Sequence, residues 1–211
     1  MHNEGVTTDS EWIRDGGRIC LDFVNTLRSR WRSTPEETLR APEDLRRWLG
    51  DARLLAPAAP VSGGAAGLRS GLLLREAVDR AVMAVAAGTL PDADDVSLLN
   101  RTSSAGRRPA LRLVVRDGRL AGAPTADLAG DLDTALALVA QDAVDLLLSA
   151  DVRHVRVCAS DNCAVRFLDR SPARNRRWCS MSRCGNRAKV RLHQARSRAR
   201  AAQESDPSQS L

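Results

Sequence analysis

The chain has 211 residues, 43% of them hydrophobic and 3% aromatic, so its core must be built from Leu, Val and Ala, in one large domain or a domain with a small module. No run approaches the ~18 uninterrupted apolar residues of a membrane-spanning helix, and the opening Met1-His2-Asn3-Glu4-Gly5 lacks the basic start and apolar stretch of a signal peptide. The formal charge of +6 is uneven: residues 151–211 carry fourteen basic and five acidic side chains, a net of +9, against −3 for residues 1–150.

A cytoplasmic location is therefore expected, where thiols stay reduced and clustered cysteines read as metal ligands. A basic terminal segment on a mildly acidic body points to a polyanion as partner of that segment. Lys189 is the only lysine, and base composition alone produces such an arginine bias.

Residues 1–10 are polar. After Gly16-Gly17, the run Ile19-Cys20-Leu21-Asp22-Phe23-Val24 fits a strand or a buried helix equally well. Residues 41–50 predict a helix, with Pro42 in its first turn, Glu43 and Asp44 complementing the dipole, and Leu45, Trp48 and Leu49 on one face. The Pro-, Gly- and Ala-rich stretch 56–71 reads as a loop. Leu74, Val78, Ala81 and Val85 then follow helical spacing up to Gly88, and a second loop is expected over 101–109. Leu111, Leu113 and Val115 alternate as in a half-buried strand, with Asp117-Gly118 suited to a tight hairpin turn. An amphipathic helix is predicted over 131–149, along Leu132, Leu136, Val139, Ala143 and Leu147. The tail after Ala202 has the composition of a disordered segment.

Four of the five cysteines lie in the basic segment. Cys158 and Cys163 are separated by four residues, as are Cys179 and Cys184, with fifteen between the pairs. Two close pairs across a spacer of ~15–20 residues is the layout of a structural zinc site. One zinc ion held by four thiolates has no open coordination position, so it stabilises the fold and does no chemistry. The spacer suggests a strand at Val165–Leu168, a turn from Asp169 to Asn175 and a return strand at Arg176–Trp178. Ser182 is the expected N-cap of a helix starting near Cys184, which gives a treble-clef-like order. His154 and His193 flank the module and are read as non-ligands; Cys20 is read as a core residue.

The run Cys179-Ser180-Met181-Ser182-Arg183-Cys184-Gly185-Asn186-Arg187 resembles the CGNR zinc finger. The stretch from Gly16 to Leu27 is similar to the opening of the ABATE domain that usually precedes it. The resemblance implies a member of a group described as stress-induced transcription regulators, and with it DNA binding.

In the last helix Arg187, Arg191, Gln194 and Arg198 share one face by spacing, Arg183, Lys189, Arg196 and Arg200 widen the charge, and Ala188, Leu192, Ala195 and Ala199 form a narrow apolar stripe. Such a helix can enter a major groove or follow phosphates. With Arg176 and Arg177 of the spacer, the candidate nucleic-acid contacts are Arg176, Arg177, Arg183, Arg187, Lys189, Arg191 and Arg198. Asn186 and Arg187 are open to two readings, base contact or bracing of the metal loop, with Asp161 or Asp169 as partners for Arg187. No Gly-rich phosphate loop, HExxH or Gly-x-Ser-x-Gly is present, so no enzyme is expected.

The expected fold class is α+β: an ABATE-like domain over 1–150 that senses a small-molecule effector or self-associates as a homodimer, a CGNR-type four-cysteine zinc module over 151–203, and a tail over 204–211. RNA binding and a zinc-stabilised protein-interaction module stand as alternatives to DNA binding. The contrast in charge suggests that the first domain folds without the second.

Overall fold

A computed structural model describes residues 12–59, 64–108, 111–124 and 128–191, together with Gln194, Ser197 and Arg198. The segment 1–10, the tail after Ala202 and the positions Leu192, His193, Ala195, Arg196, Ala199 and Arg200 fall outside the described residues.

The apolar run after Gly17 is a helix, α1 (Ile19–Val24), whose Cys20, Leu21, Phe23 and Val24 are buried. Two short strands, β1 (Leu27–Arg28) and β2 (Glu36–Glu37), pair antiparallel and carry a loop between them. Then comes α2 (Pro42–Asp51), whose Asp44 carboxylate reaches back to accept the Ala41 and Arg40 amides at 3.0 and 2.9 Å, satisfying donors that a helix start leaves open. The helix buries Leu45, Trp48 and Leu49, and the Trp48 ring packs on Phe23 with centroids 4.9 Å apart.

The next helix corrects the expected loop over 56–71: α3 runs Gly64–Ala86. Its glycine-rich start follows from packing. Gly67 and Gly71 are buried, and a Cβ on Gly71 would stand 2.9 Å from Leu45 Cδ2. Close approach of α2 here outweighs the low helix propensity of glycine. A second correction is α4 (Ala93–Ser104), capped by the Asp92 carboxylate accepting the Asp94 amide at 2.8 Å, where a loop was expected from residue 101. Asp95 of α4 is buried and accepts Arg80 Nε at 2.9 Å.

Strands β3 (Leu111–Arg116) and β4 (Arg119–Pro124) form the expected hairpin through Asp117-Gly118, with Val115 opposite Leu120. Both turn residues have positive φ, 53° and 72°, as a primed turn requires. The face is the reverse of the expected one. Leu113, Val115 and Leu120 are exposed and Val114 is half-buried, because the hairpin does not lay that side on the helices. The last helix of the body, α5 (Leu132–Leu148), starts at an Asp131 cap that accepts the Thr134 amide at 2.7 Å, and buries Leu136, Val139, Ala143 and Leu146. Among the described residues no helix is long and apolar enough to cross a membrane.

A 3₁₀ turn (Ala150–His154) leads into β5 (Val155–Val157), which pairs antiparallel with β6 (Arg166–Leu168). These strands are not separated from the helical body by a linker. Val152, Val155 and Leu168 lie in the same apolar core as α1, α3 and α5. With these three short antiparallel sheets among the helices, the class is α+β.

Candidate metal centre and basic surface

Cys158 extends the β5–β6 ladder, its amide bonding Val165 O at 2.9 Å, and the chain turns so that Cys163 N reaches Ser160 O at 2.9 Å. The first ligand pair thus sits in the turn of a β-hairpin. The expected return strand at Arg176–Trp178 is absent; the partner of β6 is β5, upstream. Residues 169–178 instead wrap around one carboxylate: buried Asp169 accepts the amides of Ser171 and Arg176 at 2.9 and 2.8 Å. That loop brings Cys179 back to the first pair, where its amide donates to Cys158 Sγ at 3.4 Å.

Beyond Cys179 the cap is Ser180, not Ser182, with its Oγ accepting the Arg183 amide at 3.3 Å. One wide turn of π-helix (Met181–Gly185) follows and passes into a helix over 186–191, α6. Cys184 lies within the wide turn, fully buried. The order remains treble-clef-like: one ligand pair in a hairpin turn, the other opening a helix.

The four sulfur atoms all lie within 4.8 Å of one another. Cys163 Sγ and Cys179 Sγ are 3.9 Å apart, and Cys179 Sγ and Cys184 Sγ 3.7 Å. Ligands ~2.3 Å from a tetrahedral zinc must stand about 3.8 Å from one another, whereas a disulfide requires ~2.0 Å. The spacing is that of a metal site. The charge balance agrees: hydrogen bonding from Cys179 holds the Cys163 thiol below its usual range, while burial pushes Cys158 up and the neighbouring Cys163 thiolate pushes Cys179 up. Cys158, Cys163, Cys179 and Cys184 therefore form a single structural zinc site, with no position left for chemistry.

The small core around the site holds Phe167, Val165 and Trp178, and also Ile13, from the far end of the chain. The segment carrying Ile13 is tied to the module by Leu168 N bonding Gly16 O at 2.8 Å and by Arg183 pairing with Asp15 at 3.1 Å. Asn25 adds a second tie. Its side-chain amide donates to Arg166 O at 2.9 Å and accepts Arg166 N at 2.8 Å, taking the place of a strand edge. The Arg166 guanidinium clasps the Asp79 carboxylate of α3 at 2.8 and 3.1 Å. Sequence reasoning missed Ile13, Asp15, Asn25 and Asp79, which carry no local pattern pointing to the module.

The candidate nucleic-acid contacts divide. Arg176 is occupied inside the module: it donates to the carbonyls of Trp178 and Cys179 and lies 4.6 Å over the Phe167 ring. Arg187 is exposed on one side, yet its Nη2 donates to Cys184 Sγ at 3.3 Å, so bracing of the metal loop is one of its roles. The partners expected for it go elsewhere, Asp161 to Arg191 at 3.4 Å and Asp169 to backbone amides. Arg177 lies 5.2 Å from the Trp178 ring centroid, and Arg183 is held to Asp15. Lys189, Arg191 and Arg198 are exposed. At about 100° per residue Arg187 and Arg191 share one flank of α6, and Lys189 lies about 200° from Arg187 on the other. Asn186 is exposed, and its amide closes the wide turn onto Met181 O.

His154 lies apart from the cysteine cluster among the described residues. Cys20 is fully buried, with burial pushing its thiol well up.

Two family models match the chain. Residues 17–150 match the ABATE family, described as "Putative stress-induced transcription regulator", and residues 154–197 match the CGNR zinc finger. No curated protein matches.

Proposed function

Because the chain belongs to the ABATE family and carries the CGNR zinc finger, we propose that it is a zinc-stabilised, DNA-binding transcription regulator of the stress response, acting without catalysis in the cytoplasm. The observation that carries this reading is the exposed cationic helix anchored by a zinc ligand. Arg187 and Arg191 stand on one flank of a helix entered through the wide turn that holds Cys184, and Arg198 is exposed beyond them, within a segment of net charge +9. A helix with arginines on one side suits a major groove, where a guanidinium can bond a guanine edge with two hydrogen bonds. Self-association belongs to the N-terminal body in this proposal, supported by the exposed Leu113, Val115 and Leu120 of the β3–β4 hairpin.

The test is binding of labelled duplex DNA by the zinc-loaded chain over a salt series. Affinity should fall steeply with salt, and Arg191→Ala with Arg198→Ala should reduce the slope by ~1 for each phosphate that is no longer neutralised. Those variants should keep their zinc and their melting temperature, since exposed charges contribute little to folding. Parental affinity in the double variant removes the helix as the DNA-binding surface and favours a protein partner; stronger competition by duplex RNA moves the reading to RNA. Sedimentation of the chain, with and without the hairpin substitution Val115→Ser, tests self-association.

A further inference from the structure

A half-open cleft of about 210 Å³ lies between the zinc module and the N-terminal body. Arg28 at the end of β1 and Ser29 of the following loop line one side, and Asn162, Arg183 and Arg187 of the module line the other. Three arginines thus line a space with room for several waters.

From Arg28 at the end of β1 the chain reads Arg28-Ser29-Arg30-Trp31-Arg32, the last four residues in the β1–β2 loop. Ser29 takes a φ of 51°, and Arg32 N bonds Ser29 O at 2.9 Å, which turns the loop tip outward. Arg30 points inward to Glu76 at 2.6 Å and to Val24 O at 3.2 Å, pinning the loop to the body. Trp31 is 51% exposed, while Trp12 and Trp48 are buried and Trp178 packs in the zinc core. The Arg32 guanidinium lies 5.0 Å from the Trp31 ring centroid. A fixed loop that presents tryptophan between arginines serves no core, and its aromatic face with flanking cations is suited to a sugar–phosphate chain.

We infer that the DNA interface is composite: a backbone phosphate seats in the cleft against Arg28, Arg183 and Arg187, and Trp31 packs on the adjoining sugar. This rests on the DNA-binding reading above and extends it from the finger to the N-terminal body. The cleft already shows how an anion is held. Glu36 sits on Arg28 at 3.3 Å, and its side chain is 61% exposed, so a phosphate can compete with that carboxylate for the cleft. Arg183 and Arg187 each spend donors on Asp15 and Cys184 Sγ, and a guanidinium carries five N–H groups. Duplex bound along the Arg187–Arg191 flank therefore meets a second contact on the body, which fixes its direction across the molecule.

The experiment uses the full zinc-loaded chain and a fluorescein-labelled duplex of mixed sequence, over a salt series, with zinc content and melting temperature recorded for each variant. Arg28→Ala should weaken binding and lower the slope of log affinity against log salt by about 1. Trp31→Ala should weaken binding several-fold at unchanged slope, and Trp31→Phe should recover most of the loss. Glu36→Gln, which removes the competing carboxylate, should tighten binding. If all of these variants bind with parental affinity and slope while Arg191→Ala with Arg198→Ala binds less, the composite interface is wrong and DNA binding by the finger stands. If the parent binds no duplex, both fall.

Discussion

Replacing Arg166 tests whether the zinc module and the helical body are one cooperative unit. Its guanidinium and the Asp79 carboxylate are 14% and 11% exposed and meet in a two-bond clasp, with Arg166 Nη1 also on Ala164 O at 2.6 Å. Removing one partner of a buried pair typically costs about 3–5 kcal/mol, because the other charge is left in a poorly solvated site. Here Arg30 remains 3.3 Å from Asp79, so the lower end, about 3 kcal/mol, is expected for Arg166→Ala. In a double-mutant cycle with Asp79→Ala the coupling should be about 2 kcal/mol. Urea unfolding of the zinc-loaded protein, followed by far-ultraviolet dichroism and tryptophan fluorescence, measures all four corners. Because Val165 and Phe167 on either side of Arg166 are zinc-core residues, zinc affinity measured by chelator competition should fall in the same variants. A coupling below about 0.5 kcal/mol would refute the reasoning. So would a loss of zinc affinity that leaves the unfolding of the body unmoved, since the two parts would then be separable, as their charge contrast suggests.

The metal site makes a second prediction: mass spectrometry under native conditions should find one zinc per chain, absent from Cys158→Ser with Cys184→Ser, and retention in that variant would disprove the ligand set. A third concerns pH. Burial, opposed by a 2.8 Å bond from Gly16 N, raises the Asp22 carboxyl to about 6 from 3.8. The stability linked to its protonated form is fully present below about pH 4 and lost as pH rises through about 6. Asp22→Asn keeps an oxygen for Gly16 and should stabilise the chain above pH 7 by at most about 3 kcal/mol, an advantage that shrinks to nothing in melts near pH 4. Finally, a Cβ on Gly16 would lie 2.8 Å from both Leu21 Cβ and Asp22 Oδ1, so Gly16→Ala should destabilise by about 1–3 kcal/mol in the same denaturation assay, and a neutral effect would show that this turn yields easily.

The four cysteines were legible because metal geometry restricts ligand spacing, and α2 and α5 were legible because their apolar residues repeat at the helical period. Elements set by distant partners were not. The glycine-rich start of α3 is helical because Leu45 presses on Gly71, and α4 shows little period because Leu99 and the ion-paired Asp95 are what it buries. The strand over 165–168 was read correctly, but its partner was sought downstream, at 176–178. Nothing local says that Asp169 will gather that stretch into a loop while β5 takes the ladder. The hairpin alternation was visible, but its outward face was not, since alternation has no sign without a neighbour. Asn25 and Asp79 meet Arg166 from 141 and 87 residues away.

Ile13 in the zinc core has a consequence for the order of assembly. On the ribosome, residues 13–16 emerge long before Cys179 and Cys184, and they can complete the metal-bound core only after Cys184 has been made. Until then Ile13 and the open edge at Gly16 have no partner, and the nascent body is a folding intermediate with an unfinished surface. Capture of zinc is then a closing event that joins segments made far apart in synthesis. A cell short of zinc would accumulate chains stalled at that step, with the arm around Ile13 exposed to proteases.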